Sequence, residues 1–127
     1  MINKIAIVLL LIACVFTGQT NHKEVSYMNI TTEQAKEIMD TEGEYIILDV
    51  RTEEEYAEGH IPNAILIPDY QIETKAEELL TDKDELILVY CRSGRRSKLA
   101  AESLIKLGYT DIKEFGGIID WPYEVVK

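Results

Sequence analysis

The sequence predicts an α/β domain of three layers, α/β/α, built around a central, mainly parallel five-stranded sheet. Three observations carry this expectation. Short aliphatic and β-branched runs alternate along the chain with amphipathic stretches. The runs are apolar at consecutive positions, as in Leu86-Ile87-Leu88-Val89-Tyr90, which fits strands covered on both faces. The longest helical stretch follows that run through a tight polar segment, Cys91-Arg92-Ser93-Gly94-Arg95-Arg96-Ser97. In open parallel sheets, sites form outside the carboxyl ends of the strands, and this segment stands at such an end.

Each element has its own local reason. Tyr27 to Ile30 reads as a short first strand. Thr31 followed by Gln34 forms a capping box, and Ala35, Ile38 and Met39 give the helix behind it one apolar face. Gly43 breaks that helix. Tyr45 to Val50 is the second strand and ends at Asp49-Val50-Arg51. Thr52 and Glu55 make a second capping box for a helix over Glu53 to Glu58, whose acidic start suits the helix dipole. Ala64 to Ile67 is a third strand, stopped by Pro68. Ile72, Ala76, Leu79 and Leu80 share a helical face, and Thr81 to Asp84 turns the chain into the Leu86 to Tyr90 strand. Helical spacing of Ala100, Ala101, Leu104 and Leu107 predicts a helix from Lys98 to Leu107, with Gly108 as its stop. Ile112 to Phe115 is the last strand and leads into Gly116-Gly117.

The chain has 127 residues, a natural size for one domain. Its net charge of −10 argues against nucleic acid as a partner, and it makes the basic loop at Cys91 a local exception. An anionic substrate would be captured by that loop with little help from the overall field. The N-terminus is different in kind. Lys4 precedes eight apolar residues, Ile5 to Ile12, then Ala13-Cys14, too short a run to span a bilayer as a helix. It reads as a signal peptide over residues 1–13, with 14–26 as a lipidated start and tether, and the domain over 27–127. Leu11-Ile12-Ala13-Cys14 resembles a bacterial lipobox, with Cys14 the acylated residue. An uncleaved anchor or a cut near Thr17 to Thr20 is the other reading. The lipidated chain would be exported to the cell envelope, in the periplasm or on the outer face of the cytoplasmic membrane, and held there by its lipid. Cys14 and Cys91 are the two cysteines. With Cys14 acylated, Cys91 is a single free thiol with no disulfide partner or resolving cysteine in the chain.

Three arginines within five residues of Cys91 are the strongest chemical signal. A loop at a helix start turns free backbone N–H groups toward one point, and these groups, the helix dipole and the guanidinium charges all favour a thiolate. The string Cys91 to Ser97 after a buried strand resembles the active-site loop of single-domain rhodaneses, the thiosulfate sulfurtransferase family. Leu48 to Arg51 (LDVR), Glu54 to Ala64 (EEYAEGHIPNA) and Gly116 to Pro122 (GGIIDWP) agree with it in order, so the resemblance spans about Met28 to Tyr123. It implies a rhodanese-like fold and a sulfurtransferase. Cys91 would take the outer sulfur of thiosulfate or a related anionic donor as a persulfide and pass it to a thiol or cyanide acceptor, without cofactor.

The same resemblance makes Arg92, Ser93, Gly94, Arg95, Arg96 and Ser97 the persulfide cradle. Arg96 resembles the residue that closes the cradle onto the helix. Arg92 and Arg95 suit the sulfonate oxygens, since guanidinium forks match oxyanions. Gly94 provides a positive-φ turn, and Ser93 and Ser97 offer hydroxyl groups. Asp49 and Arg51 belong to the framework near the site, with Arg51 expected to pair with Glu55 or Glu58. His60 is expected to bond to nearby backbone rather than to form a Cys–His couple, and His22 is incidental. Trp121 is expected to pack the C-terminal segment on the sheet. One free thiol and no clustered histidines give no metal site. Tyrosine phosphatases place five residues between their cysteine and arginine, whereas four separate Cys91 from Arg96, and the phosphatase position holds Ser97. A sulfurtransferase is therefore expected, with a sulfur-carrier or anion-binding module of the same fold as the alternative; a monomer is the expected state.

Overall fold

The computed structural model describes residues 25–41 and 43–127. The expected signal peptide and the expected tether up to residue 24, including Cys14 and His22, lie outside the described residues. The elements are β1 (Met28–Asn29), α1 (Thr32–Thr41), β2 (Ile46–Asp49), α2 (Glu53–Glu58), β3 (Ile65–Leu66), α3 (Ile72–Leu79), β4 (Ile87–Cys91), α4 (Arg95–Lys106) and β5 (Ile112–Gly117). Single 3-10 turns at Asp69–Gln71 and Ile118–Asp120 precede α3 and follow β5. The sheet has five strands in the order β1-β5-β4-β2-β3, and every ladder in it is parallel.

Alternation along β4 divides the core. Ile87, Val89 and Cys91 join one cluster with Leu48, Ala76, Leu80, Ala100, Ala101 and Leu104, beneath α3 and α4. Leu88 and Tyr90 point the other way, into a cluster with Ala35, Ile47, Phe115 and Trp121. All five β4 residues are buried, which explains why their run lacks polar alternation. Trp121 packs at 5.8 Å from Phe115, as the sequence led one to expect. Both capping boxes form. Thr31 and Gln34 exchange bonds of 3.1 and 2.9 Å, and Thr52 and Glu55 do the same at the start of α2. His60 Nδ1 lies 3.0 Å from the Tyr56 carbonyl, while its backbone pairs with Val126 in an isolated antiparallel bridge.

Most strands differ from expectation by one or two residues at an end, with β4 running on to Cys91 and β5 to Gly117. β1 is shorter than Tyr27 to Ile30, because only Met28 and Asn29 find register partners on β5. α4 begins at Arg95 instead of Lys98, so Arg95, Arg96 and Ser97 form its first turn. The apolar spacing could not show this, since that turn is polar throughout.

Candidate active site

The site stands where β4 runs into α4. Because β4 alternates, Cys91 turns its side chain to the α4 side and lies just below the first turn of that helix. Gly94 is the helix N-cap at φ 110°, a left-handed conformation that glycine adopts without strain. It brings the Gly94 N–H to 3.0 Å from the Cys91 Sγ. The sequence suggested that several N–H groups would meet the sulfur; among the described residues Gly94 supplies the one that bonds it. On its other side the Cys91 thiol donates to Ser97 Oγ at 3.3 Å. The residue is only 1% exposed, so the sulfur sits beneath its loop and not at the surface.

β5 supports the loop from below. Val89 pairs with Glu114 but Cys91 pairs with Gly117, so β5 carries an extra residue opposite β4. Gly116, at φ 86°, takes up this bulge. The chain then passes so close to the loop that a Cβ on Gly117 would stand 1.8 Å from the Arg92 carbonyl oxygen. The same carbonyl accepts from the Ile119 N–H at 3.2 Å. The two glycines therefore serve differently: Gly116 takes the left-handed turn and Gly117 allows the close approach.

The three arginines part company. Arg96 forks onto Glu55 at 2.7 and 2.9 Å, tying the start of α4 to the capping box of α2. That guanidinium, foremost, holds the Glu55 carboxyl down at about 2, against the opposing effect of burial. Arg96 itself is raised, first by its bond to Glu55 and in smaller part by the charge of Cys91. Arg92 and Arg95 are exposed and, among the described residues, pair with no carboxylate. Ser93 is exposed beside them.

Asp49 and Arg51 form a buried ion pair, and this corrects the expected partner of Arg51. Asp49 is fully buried, so it must be neutralised locally, while Glu55 is already taken by Arg96. Arg51 contacts Asp49 at 2.7 to 3.1 Å and the Gly59 carbonyl at 2.7 Å. Burial pulls Arg51 downward, but the bond and charge of Asp49 outweigh it and raise the group. Tyr90 donates to Asp49 at 2.6 Å and accepts from the Ile61 N–H at 3.1 Å. Burial, then the Asp49 charge, push the Tyr90 hydroxyl far above its ordinary range. This cluster joins β2, β4 and the Gly59–Ile61 segment and does not touch the thiol.

One residue escaped sequence reasoning. Glu114, 2% exposed, accepts from Ser97 Oγ at 2.6 Å and from the Gly116 N–H at 2.8 Å. Its signal was available: in Ile112-Lys113-Glu114-Phe115 it alternates with Ile112 onto a buried face. Among the described residues, no group of three or more His, Cys, Asp or Glu side chains converges as a metal site would require.

The rhodanese-like domain model matches residues 31–122, which include all the segments just described. The chain belongs to the rhodanese-like family. The rhodanese-like domain is 36% identical over 80 residues to the thiosulfate sulfurtransferase PspE of Escherichia coli, covering 63% of this chain and 77% of that protein. It is 39% identical over 97 residues to the putative sulfur carrier protein YrkF of Bacillus subtilis, covering 76% of this chain but only 51% of that one. Among solved structures, an E. coli rhodanese with anions superposes at TM-score 0.62 and 35% identity, over 65% of this chain and 98% of that one. A rhodanese-related protein from Thermoplasma volcanium superposes at TM-score 0.68 and 33% identity, over 79% and 98%. These two relatives are named a thiosulfate sulfurtransferase and a putative sulfur carrier.

Proposed function

We propose that this rhodanese-like domain transfers a sulfane sulfur from thiosulfate or a related donor to a thiophilic acceptor through a persulfide on Cys91. The Cys91 thiolate attacks the outer sulfur of thiosulfate, the sulfur–sulfur bond of the donor breaks, and sulfite leaves with the electron pair. A thiol or cyanide then attacks the outer persulfide sulfur, and Cys91 departs as thiolate. The observation that carries this reading is a thiol at a helix N-terminus whose flanking Arg92 and Arg95 are exposed and, among the described residues, pair with no carboxylate. Cations in the first turn of a helix are disfavoured by about 0.3–1 kcal/mol each. Arg96 has Glu55 to offset this; Arg95 in the same turn and Arg92 just before it are exposed, and a bound oxyanion would offset their charge.

A second reading, a sulfur carrier that loads but turns over poorly, draws on the 1% exposure of Cys91 and on the carrier named among the relatives. The deciding experiment is the intact mass of the full chain after thiosulfate, beside Cys91→Ser. Gain of one sulfur by the wild type alone, removed by cyanide with multiple turnovers, supports the transferase. Loading without turnover supports the carrier, and sulfur gained equally by Cys91→Ser overturns both. We also propose that the chain is exported and lipid-anchored at Cys14. Cys14→Ala should then leave the membrane fraction, and its retention there would refute the anchor.

A further inference from the structure

We propose that Glu114 restrains the ionisation of Cys91 by holding the single hydroxyl proton of Ser97. The proposal rests on Cys91 being the reacting thiol and adds a positioning residue behind it. Ser97 Oγ has one proton and four acceptors in reach: Glu114 Oε1 at 2.6 Å, the Gly94 carbonyl at 3.0 Å, the Gly116 carbonyl at 3.3 Å and the Cys91 sulfur at 3.3 Å. A carboxylate at the shortest distance takes it, because charge-assisted bonds are about twice as strong as neutral ones. Ser97 Oγ then offers the thiol a lone pair, and the thiol donates to it. When Cys91 loses its proton, sulfur and lone pair face each other, and Ser97 must turn to donate to the sulfur. That turn leaves Glu114, 2% exposed, with the Gly116 N–H at 2.8 Å. The carboxylate charge also opposes a second anion a short distance away.

The other charges around the pair come from several elements. On the thiol side, Arg96 from α4 senses Cys91 and is engaged by Glu55 of α2, with Asp69 acting on it from the 3-10 turn. Arg92 on the loop and Arg95 in the first turn of α4 are exposed. On the far side Lys98 lines the same cleft as Glu114, and Tyr27 beside β1 is raised by burial and then by Glu102 and Glu114. The Gly94 N–H, the helix dipole and the arginines favour the thiolate; Glu114 through Ser97 is the local group set against it. A thiol so held resists alkylation and oxidation more than a free thiolate would.

The test is the pH dependence of iodoacetamide alkylation at Cys91 in the full chain, with the Cys91 peptide read by mass spectrometry. No sulfur donor is needed, so failure of the proposed transfer reaction leaves this outcome independent. Glu114→Gln keeps the shape and an acceptor for the Gly116 N–H. It should lower the alkylation midpoint by about one pH unit and speed the reaction about tenfold below that midpoint. In a Ser97→Ala background the same substitution should shift the midpoint by less than about half as much. Thermal melting verifies that each variant is folded. Should Glu114→Gln not fold, Glu114→Asp retracts the carboxylate from Ser97 and should lower the midpoint by a smaller amount. An unchanged or raised midpoint overturns the proposal. Equal shifts with and without Ser97 also overturn it, because the effect would then be charge acting through space.

Discussion

Replacing Glu55 with Gln should destabilise the fold at neutral pH, and the loss should fade in acid. Glu55 serves two masters: it accepts from the Thr52 N–H at 3.2 Å as the partner in the capping box, and it holds the Arg96 fork at 2.7 and 2.9 Å. Glutamine retains a carbonyl oxygen for the cap, so the substitution isolates the ion pair. The carboxyl falls from its ordinary 4.5 to about 2 in the fold, which at about 1.4 kcal/mol per pH unit sets an upper bound of about 3 kcal/mol. The paired side chains are 24% and 29% exposed, and solvent screening brings the expected loss to about 1–2 kcal/mol. Because the folded value is depressed, this stability is present above the unfolded value of 4.5 and is lost as pH falls toward 2. Urea unfolding of the wild type and Glu55→Gln, at neutral pH and near pH 2.5, measures both ends of the window. The gap should be open at neutral pH and largely closed in acid. A gap of the same size at both, or one below about 0.3 kcal/mol at neutral pH, refutes the assignment of the depressed carboxyl to Arg96.

Two further substitutions test how the site is held. Asp49→Asn leaves Arg51 buried without its counter-charge and should cost about 3–5 kcal/mol in urea unfolding; a loss under about 1 kcal/mol would mean that the pair is not closed to water. Gly117→Ala forces a Cβ to 1.8 Å from the Arg92 carbonyl and should cost at least about 2–3 kcal/mol while disturbing the loop. Thermal melting together with Cys91 alkylation reads both effects, and a variant with wild-type melting would show that the loop does not rest on β5 as described.

Much of the fold was legible because it depends on local pattern. Buried parallel strands need apolar residues on both faces, and Leu86 to Tyr90 displays that without ambiguity. Thr31 with Gln34 and Thr52 with Glu55 mark helix starts through bonds that span three residues. The start of α4 was misplaced because its first turn, Arg95 to Ser97, carries no apolar residue to register a period. The partner of Arg51 was missed for a different reason. Acids are plentiful nearby in sequence, and only burial of Asp49, with Tyr90 brought to it from a strand 41 residues away, decides among them.

By itself the sequence determined the parallel α/β class and the position of a cysteine at the end of a buried strand, with glycine and arginines following it. These are matters of spacing, and spacing is what a sequence records. The tertiary structure decided which arginine is spent on structure, since Arg96 meets Glu55 only once the fold brings the first turns of α2 and α4 within reach of each other. It also decided that Glu114 lies behind Ser97, 17 residues away in the chain, because its pairing with Val89 sets that carboxylate on the α4 side of the sheet. Charge partners of this kind are chosen by distance and burial after the strands have paired, and no pattern along the chain encodes that choice.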